Sequence, residues 1–269
     1  MDMDTNKNSG NRCWITVVKK RKIFKTYIST GEYRTFIDTF VELAKNSDSN
    51  YVCIANVHML IEAYLNSDFC QIVNQAAIAT PDGMPLAKSM KLLYGIEQDR
   101  VAGMDIMPSL MEVSEQKNLS IFLYGSTNEI LTAIKIKAKR EFPNLKLHTY
   151  SPPFRNLSPK EEEEISIMIN KQKSDFVFVS LGCPKQEKWM ARNHGKINSC
   201  MIGLGGAFEV YAEVKNRAPQ WMQDYAIEWL YRLIQDPKRL WKRYLFTNTF
   251  FIMLIVVQII KTRLKLIKV

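Results

Sequence analysis

FVFVSLGCPKQEKWMARNHGKINSCMIGLGG, residues 176–206, decides the fold. FVFVSLG (176–182) is a short apolar run closed by glycine, which suits a strand buried on both faces. CPKQEKWM opens a helix, and CMIGLGG (200–206) is a second buried run ending in glycines. Strand, helix and strand in this order require a crossover, and hence parallel pairing within one sheet.

The same alternation extends toward the N-terminus. Strands are expected at SIFLY (120–124) and KLHTY (146–150), with helices over 105–117 and 127–141. The proline-rich SPPF (151–154) leaves regular structure, and Ser158-Pro159 starts a helix whose early acids, Glu161 to Glu164, suit the helix dipole. Further upstream come a helix over 33–45, strand YVCIA (51–55), a helix from His58 to Leu65 and a helix over 69–74 with Asp68 as its cap. Strand AAIAT (76–80), the Pro81-Asp82-Gly83 turn, a helix over 85–94 and a short strand at Trp14–Val18 complete the set. The expected class is α/β: a mainly parallel, Rossmann-like sheet with helices on both faces. There is no internal repeat and no second core.

At 269 residues and 46% apolar content the chain can bury a full core and still carry an appended element. The net charge of +10 is unevenly placed: residues 215–269 hold eleven Lys/Arg against Asp224, Glu228 and Asp236, so the tail carries +8 of it. We divide the chain into an α/β core, 1–215, and a basic, aromatic and apolar helical appendage, 216–269, expected to associate with a membrane. In the appendage, Pro219–Gln235 has helical spacing and Pro237 restarts the helix as a first-turn residue. From Tyr244 to Ile260 there is no charge, a stretch of roughly 25 Å as a helix against the ~30 Å hydrocarbon core. Thr247, Asn248, Thr249 and Gln258 weaken a spanning assignment. The stretch reads instead as an interfacial helix anchored by Trp241 and flanking Lys/Arg. The competing assignment has it closing the core or a subunit interface. The basic exit KTRLKLIK (261–268) favours an anionic membrane surface.

Cys13, Cys53, Cys70, Cys183 and Cys200 form no CxxC pair and sit mostly in apolar surroundings, as free thiols do in a reducing compartment. The polar start lacks the apolar core of a signal peptide, so cytoplasmic residence is expected.

Ligands of open parallel sheets bind beyond the carboxyl ends of the strands. Asn56, Asp82-Gly83, Gly125-Ser126, Lys185-Gln186-Glu187 and GLGGAF (203–208) all fall there. Asp82, held between Pro and Gly, is the best general-base candidate, although Pro-Asp-Gly is also simply a good turn. Gly125-Ser126 and GLGG can offer backbone amides to a diphosphate, but neither makes a dinucleotide fingerprint. Lys185, Gln186 and Glu187 serve equally well as sugar ligands or as a solvated helix start. His58, His148 and His194 show no metal-ligand spacing and read as core or surface residues. With no DxD-type acid pair, diphosphate charge falls to Arg217, Arg232, Arg239, Lys242 and Arg243. Arg232, Arg239 and Arg243 are spaced to share one helical face, and a solvated or lipid-facing stripe accounts for the same spacing.

Taken together, Asn56, TPDGMPL (80–86), RVAGMDIMPSL (100–110), LYGS (123–126), LGCPKQEKWM (181–190), GLGGAFEVYA (203–212), RAPQWMQ (217–223) and EWLYRLIQDPKRLWKRY (228–244) closely resemble the WecG/TagA/CpsF glycosyltransferases, glycosyltransferase family 26. The resemblance covers most of the chain. It implies inverting transfer of a hexose (N-acetylmannosamine, its uronate, or glucose) from a UDP-sugar to a polyprenyl-pyrophosphoryl-linked sugar. The reaction would run without metal or cofactor, at the cytoplasmic face of the bacterial plasma membrane, in surface-polysaccharide synthesis. The family's base falls on Asp82, and its basic appendage on Arg232, Arg239 and Lys242/Arg243. Substrate is expected against Asn56, Gly83, Gly125, Lys185, Gln186, Gly205, Phe208 and Arg217. One departure is Ile54, where the family pattern has Thr, which bears on the donor and on activity. The alternative is a non-catalytic, membrane-associated sugar-nucleotide binder. A nucleic-acid partner is not expected, since no such module is present; a homo-oligomer remains open.

Overall fold

A computed structural model describes residues 18–46 and 48–264, apart from the side chain of Arg239. The Trp14–Val18 strand and the end of the basic exit, 265–268, lie largely outside the described residues. A hairpin of β1 (Lys19–Ile23) and β2 (Thr26–Thr30) precedes α1 (Tyr33–Lys45). Then follow β3 (Asn50–Ala55), α2 (Val57–Leu65), α3 (Ser67–Gln75), β4 (Ile78–Pro81), α4 (Met84–Tyr94) and α5 (Gly103–Gln116). The chain continues through β5 (Ser120–Gly125), α6 (Asn128–Glu141), β6 (Lys146–Tyr150), α7 (Pro159–Lys171), β7 (Phe176–Ser180), α8 (Lys185–Asn193), β8 (Cys200–Gly203) and α9 (Ala207–Tyr211). Helices α10 (Gln220–Asp224), α11 (Glu228–Gln235) and α12 (Pro237–Arg263) end it.

Strands β3 to β8 form one sheet in the order β4-β3-β8-β7-β5-β6, with every neighbouring pair parallel. Alternation along each strand sorts side chains between two layers. Val52, Ile54, Phe176, Phe178 and Ile202 pack with α1, α5, α6 and α9, whereas Cys53, Ala55, Val177, Val179 and Met201 pack with α2, α3, α4, α7 and α8. The four cysteines among the described residues are free thiols, three of them buried.

Local chemistry explains most boundaries. Ser158 and Glu161 form a reciprocal capping box at α7. The cap of α3 is Asn66, whose side chain accepts from the Phe69 amide at 2.9 Å, and not Asp68, which lies in the first turn. The β1–β2 hairpin escapes sequence reading because KKRKI is basic and carries one fully buried apolar residue, Ile23. Distant partners hold it: Asn74 accepts from the Tyr27 amide (2.8 Å) and the Tyr94 hydroxyl donates to the Lys22 carbonyl (2.6 Å). The single helix expected over 219–235 is two. The Ile227 amide closes back onto the Met222 carbonyl (2.9 Å), with Ala226 at φ 65°, ending α10 before α11 starts.

Helix α12 is continuous through the uncharged stretch, and its segment 240–263 is long and apolar enough to cross a bilayer by length and composition. One stripe of it is nevertheless held by the protein: Thr247, Phe251 and Ile255 are buried, and the Phe24 ring meets Phe251 edge-on at 5.5 Å. Gln258, which looked like a blemish in an apolar helix, accepts from the Phe24 amide (2.9 Å) and donates to the Lys22 carbonyl (3.1 Å).

Gly125 ends β5 at φ 103°, where an added Cβ would lie 2.3 Å from the Ser180 carbonyl oxygen. That oxygen already receives the Ser126 amide at 3.0 Å. The pair therefore packs β5 against β7. Gly125→Ala combines left-handed strain with a backbone clash, so we expect a loss of about 2–4 kcal/mol in chemical denaturation; unchanged stability would contradict this packing role.

Candidate active site

A cleft of about 570 Å³ opens over the carboxyl ends of the strands, roofed by the C-terminal helices. Strand-end segments supply its floor: Asn56 after β3, Asp82 and Gly83 after β4, Ser126 after β5, residues 180–183 after β7 and 203–206 after β8. Adjacent strands send their chains to opposite faces here. From β3 the chain enters α2 in one layer, from β8 it enters α9 in the other, and the separation leaves a crevice.

Asp82 is fixed by its backbone. Its amide donates to the Ala55 carbonyl (2.7 Å), the Val101 amide donates to the Pro81 carbonyl (3.0 Å), and Gly83 at φ 95° turns the chain into α4. Asn56 caps α2 through its Oδ1, which accepts from the Met59 amide at 3.1 Å. Its amide nitrogen is thereby left for Asp82, to which the Asn56 side chain hydrogen-bonds. Burial pushes the Asp82 carboxyl up to about 6. Arg232 opposes that rise, Glu228 adds to it, and Arg100 and the Asn56 bond oppose it further.

Above Asp82 runs a chain of alternating charge. Arg100 binds Asp105 (3.0 Å), Glu228 (3.1 Å) and the Gln223 side-chain oxygen (2.7 Å). Arg217 binds Asp105 (2.6 Å) and the same Gln223 oxygen (3.1 Å). Arg232 reaches Glu228 with Nε (3.0 Å) and with a second, shorter bond from Nη2. Among the described residues no three His, Cys, Asp or Glu side chains converge as metal ligands.

Of the residues expected in a site, Asp82, Asn56, Gly83, Gln186, Gly205, Arg217, Arg232 and Arg243 line the cleft together. Gly125, Lys185 and Phe208 do not. Gly125 is a packing glycine, Lys185 is exposed at the start of α8, and Phe208 is fully buried in the core, because α9 begins by turning into that layer. Arg239 lies in α12 with its side chain outside the described residues. Arg232 and Arg243 come from two helices, α11 and α12, and not from one helical face.

The glycine-rich loop also differs from expectation. The Leu204 and Gly205 amides both donate to the Val179 carbonyl (2.9 and 3.0 Å), so neither is open to a phosphate. Glycine is needed there for approach: a Cβ on Gly203 would lie 2.9 Å from Gln186 Nε2, and one on Gly205 3.2 Å from its Oε1. Gln186 is buried and fixed, accepting from the Gly182 amide (3.2 Å) and donating to Glu187 (2.8 Å). Burial holds the Glu187 carboxyl above the usual range.

Sequence reasoning missed Arg100, Asp105, Glu228 and His58. Arg100 and Asp105 stand out only as charges in the otherwise apolar RVAGMDIMPSL, and nothing local ties them to Glu228, more than a hundred residues on. His58, assigned to core or surface, lines the cleft. Burial, and then the nearby Arg243, lower its pKa and favour the neutral ring.

The family model for the glycosyl transferase WecG/TagA/CpsF family matches residues 21–265. Curated relatives named N-acetylglucosaminyldiphosphoundecaprenol N-acetyl-beta-D-mannosaminyltransferase are similar over most of their length. That of Bacillus subtilis is 32% identical over 195 residues, covering 72% of this chain and 74% of the relative. That of Bacillus spizizenii is 31% identical over 196 residues, with the same coverage. One from Staphylococcus aureus is 30% identical over 206 residues, covering 76% and 79%.

Because the folded Asp82 carboxyl sits above the ordinary aspartate value of 3.8, ionising it favours the unfolded chain. The cost is absent below about pH 4 and grows as the pH rises through 6. Asp82→Asn should therefore be more stable than the parent at pH 8, by about 1–2 kcal/mol after allowing for solvent in the open cleft, and no more stable near pH 4. Paired melts at the two pH values check the sign; a variant less stable at pH 8 would refute the assigned burial.

Proposed function

This chain belongs to the WecG/TagA/CpsF family of glycosyltransferases, and we propose that it moves a hexose from a UDP-sugar to a sugar carried on undecaprenyl diphosphate, with inversion at the anomeric carbon. It is an enzyme, a glycosyltransferase of cell-envelope polymer synthesis. The relatives act, by their names, on N-acetylglucosaminyl-diphosphoundecaprenol, and they form a β linkage. A lipid-linked acceptor places the reaction at a membrane. That the donor is a UDP-sugar and the side cytoplasmic is our reading. It is supported by the arginines that line the cleft and by a basic tail suited to anionic lipid.

One observation carries the mechanism: a carboxyl with a pKa of about 6 shares its cleft with Arg100, Arg217, Arg232 and Arg243. In the step we assign, the acceptor hydroxyl attacks the anomeric carbon. Asp82 takes the hydroxyl proton, and the bond to the diphosphate oxygen breaks with its electron pair on the departing UDP. A base poised near working pH is efficient, since it is ionised at rest yet still basic. The arginines stabilise the charge that develops on the leaving oxygens, where fixed donors in a partly dry site act most strongly. Asn56 orients the carboxyl while its other end stays committed to the α2 cap. Ile54, with a methyl-bearing surface where the family pattern has a hydroxyl, also lines the cleft, so it bears on which hexose fits.

The test joins binding to turnover. UDP and one UDP-hexose among N-acetylmannosamine, its uronate and glucose should raise the melting temperature, while GDP and NAD should not. Asp82→Asn should keep that shift and lose on the order of 10²–10⁴ in turnover. The rate of the parent should climb with pH through an acid limb near 6. Full activity in the variant would remove Asp82 as the base. A bound UDP-sugar with no UDP release in the presence of acceptor lipid would favour the non-catalytic binder.

A further inference from the structure

Beneath the floor of the cleft lies a buried pair that the transfer step leaves unused. Gln186, in the first turn of α8, lines the cleft at 5% exposure, and Glu187 beside it is fully buried. The Gln186 amide can sit only one way round. Its Oε1 accepts from the Gly182 amide (3.2 Å), and its Nε2 donates to Glu187 Oε1 (2.8 Å). Turned over, it would set its N–H groups against the Gly182 N–H and its oxygen against the Glu187 oxygen. The loop after β8 closes on the amide, since a Cβ on Gly203 would lie 2.9 Å from Nε2 and one on Gly205 3.2 Å from Oε1. Nε2 has no second acceptor among the described residues, so one N–H is open to a ligand. A buried carboxyl costs stability unless it is bonded, and an apolar side chain would fill the same space. What the carboxyl adds is direction.

We infer that Glu187 is a positioning residue for the donor: it fixes the Gln186 amide so that the open N–H is presented to an oxygen of the transferred hexose. This rests on the UDP-sugar reading above and gives the hexose a partner on its side away from Asp82. Sheet order supplies the scale. Asp82 follows β4, and the Gln186 amide lies against the end of β8, two strands along and so roughly 10 Å away at the usual strand spacing. That interval holds one pyranose ring with a hydrogen bond on either side. Charge supplies the choice of group. The arginines above Asp82 meet the diphosphate, whereas a neutral N–H of fixed direction suits a hydroxyl or an amide carbonyl on a sugar. Glu187 needs only an acceptor oxygen for this, charged or neutral, so glutamine can replace it.

The test is calorimetric titration of the full chain with UDP and with the UDP-hexose that stabilises the parent, alongside steady-state turnover. Glu187→Met keeps the volume and removes the acceptor. Glu187→Asp retracts the carboxyl, and replaces the Met variant if that one fails to melt cooperatively. Either should weaken UDP-hexose binding and raise its KM about 3–10-fold, the range for one lost hydrogen bond, with kcat and UDP affinity little changed. Glu187→Gln should restore the parental values. Gln186→Ala, which leaves Glu187 in place, should show the same selective loss. In the double variant Gln186→Ala, Glu187→Met the losses should not add, because a residue acting through Gln186 has nothing left to position. Parental binding in the Met and Asp variants, additive losses, or an equal loss for UDP and UDP-hexose would overturn the positioning role while the donor reading stands. If the parent binds neither UDP nor any of the UDP-hexoses, the donor reading falls and this inference with it.

Discussion

The pairing of Glu228 with Arg100 and Arg232 is the contact on which the arrangement of the C-terminal third depends. Arg100 and Glu228 are only 14% and 18% exposed, so neither can give up its partner without leaving a largely desolvated charge alone. Such a pair adds little net stability, because desolvation offsets most of the attraction. Its effect is on geometry: it admits one register of α11 against the sheet rim. Asp105, Arg217 and Gln223 extend that constraint to α5 and to the segment before α10, and α12 then has no choice but to run across α2 and α4.

The same network sets the electrostatics beneath it. Asp82 belongs to the sheet, but the groups that tune it belong largely to the tail, with Arg232 drawing its pKa down and Glu228 pushing it up. Docking of the appendage therefore does more than cover a cleft. It brings two groups of opposite charge, and so of opposite influence, to one carboxyl. The glycine-rich loop takes a different role from the phosphate cradle it suggests, since the Leu204 and Gly205 amides serve the Val179 carbonyl and the missing Cβ atoms of Gly203 and Gly205 make room for Gln186. Side-chain cations are left to meet an anion.

Helix α12 faces three environments at once: cleft, core and surface. Tyr244 and Asn248 border the cleft, Phe251 and Ile255 enter the core, and Ile252 and Val256 face outward. A sequence window registers the average of these demands as a long apolar helix with a few polar interruptions, and one of those interruptions, Gln258, is the residue that fastens the helix to the β1–β2 turn.

By itself the sequence determined the alternating layers. Continuous apolar runs such as FVFVS, and helices between them, leave a parallel sheet as the only economical way to bury both faces, and strand ends such as Asn56 and Asp82 then share a rim. Only the tertiary structure decided which of the rim residues meet. Arg100 and Glu228 are ordinary charges until the fold places them 3.1 Å apart, Lys185 and Phe208 are plausible ligands until α8 and α9 turn them away, and the hairpin is a basic run until α2, α4 and α12 close on its turn. The division follows from range: periodicity and capping act over a few residues and are written locally, whereas charge pairing and burial are properties of neighbours that the chain brings together from far apart.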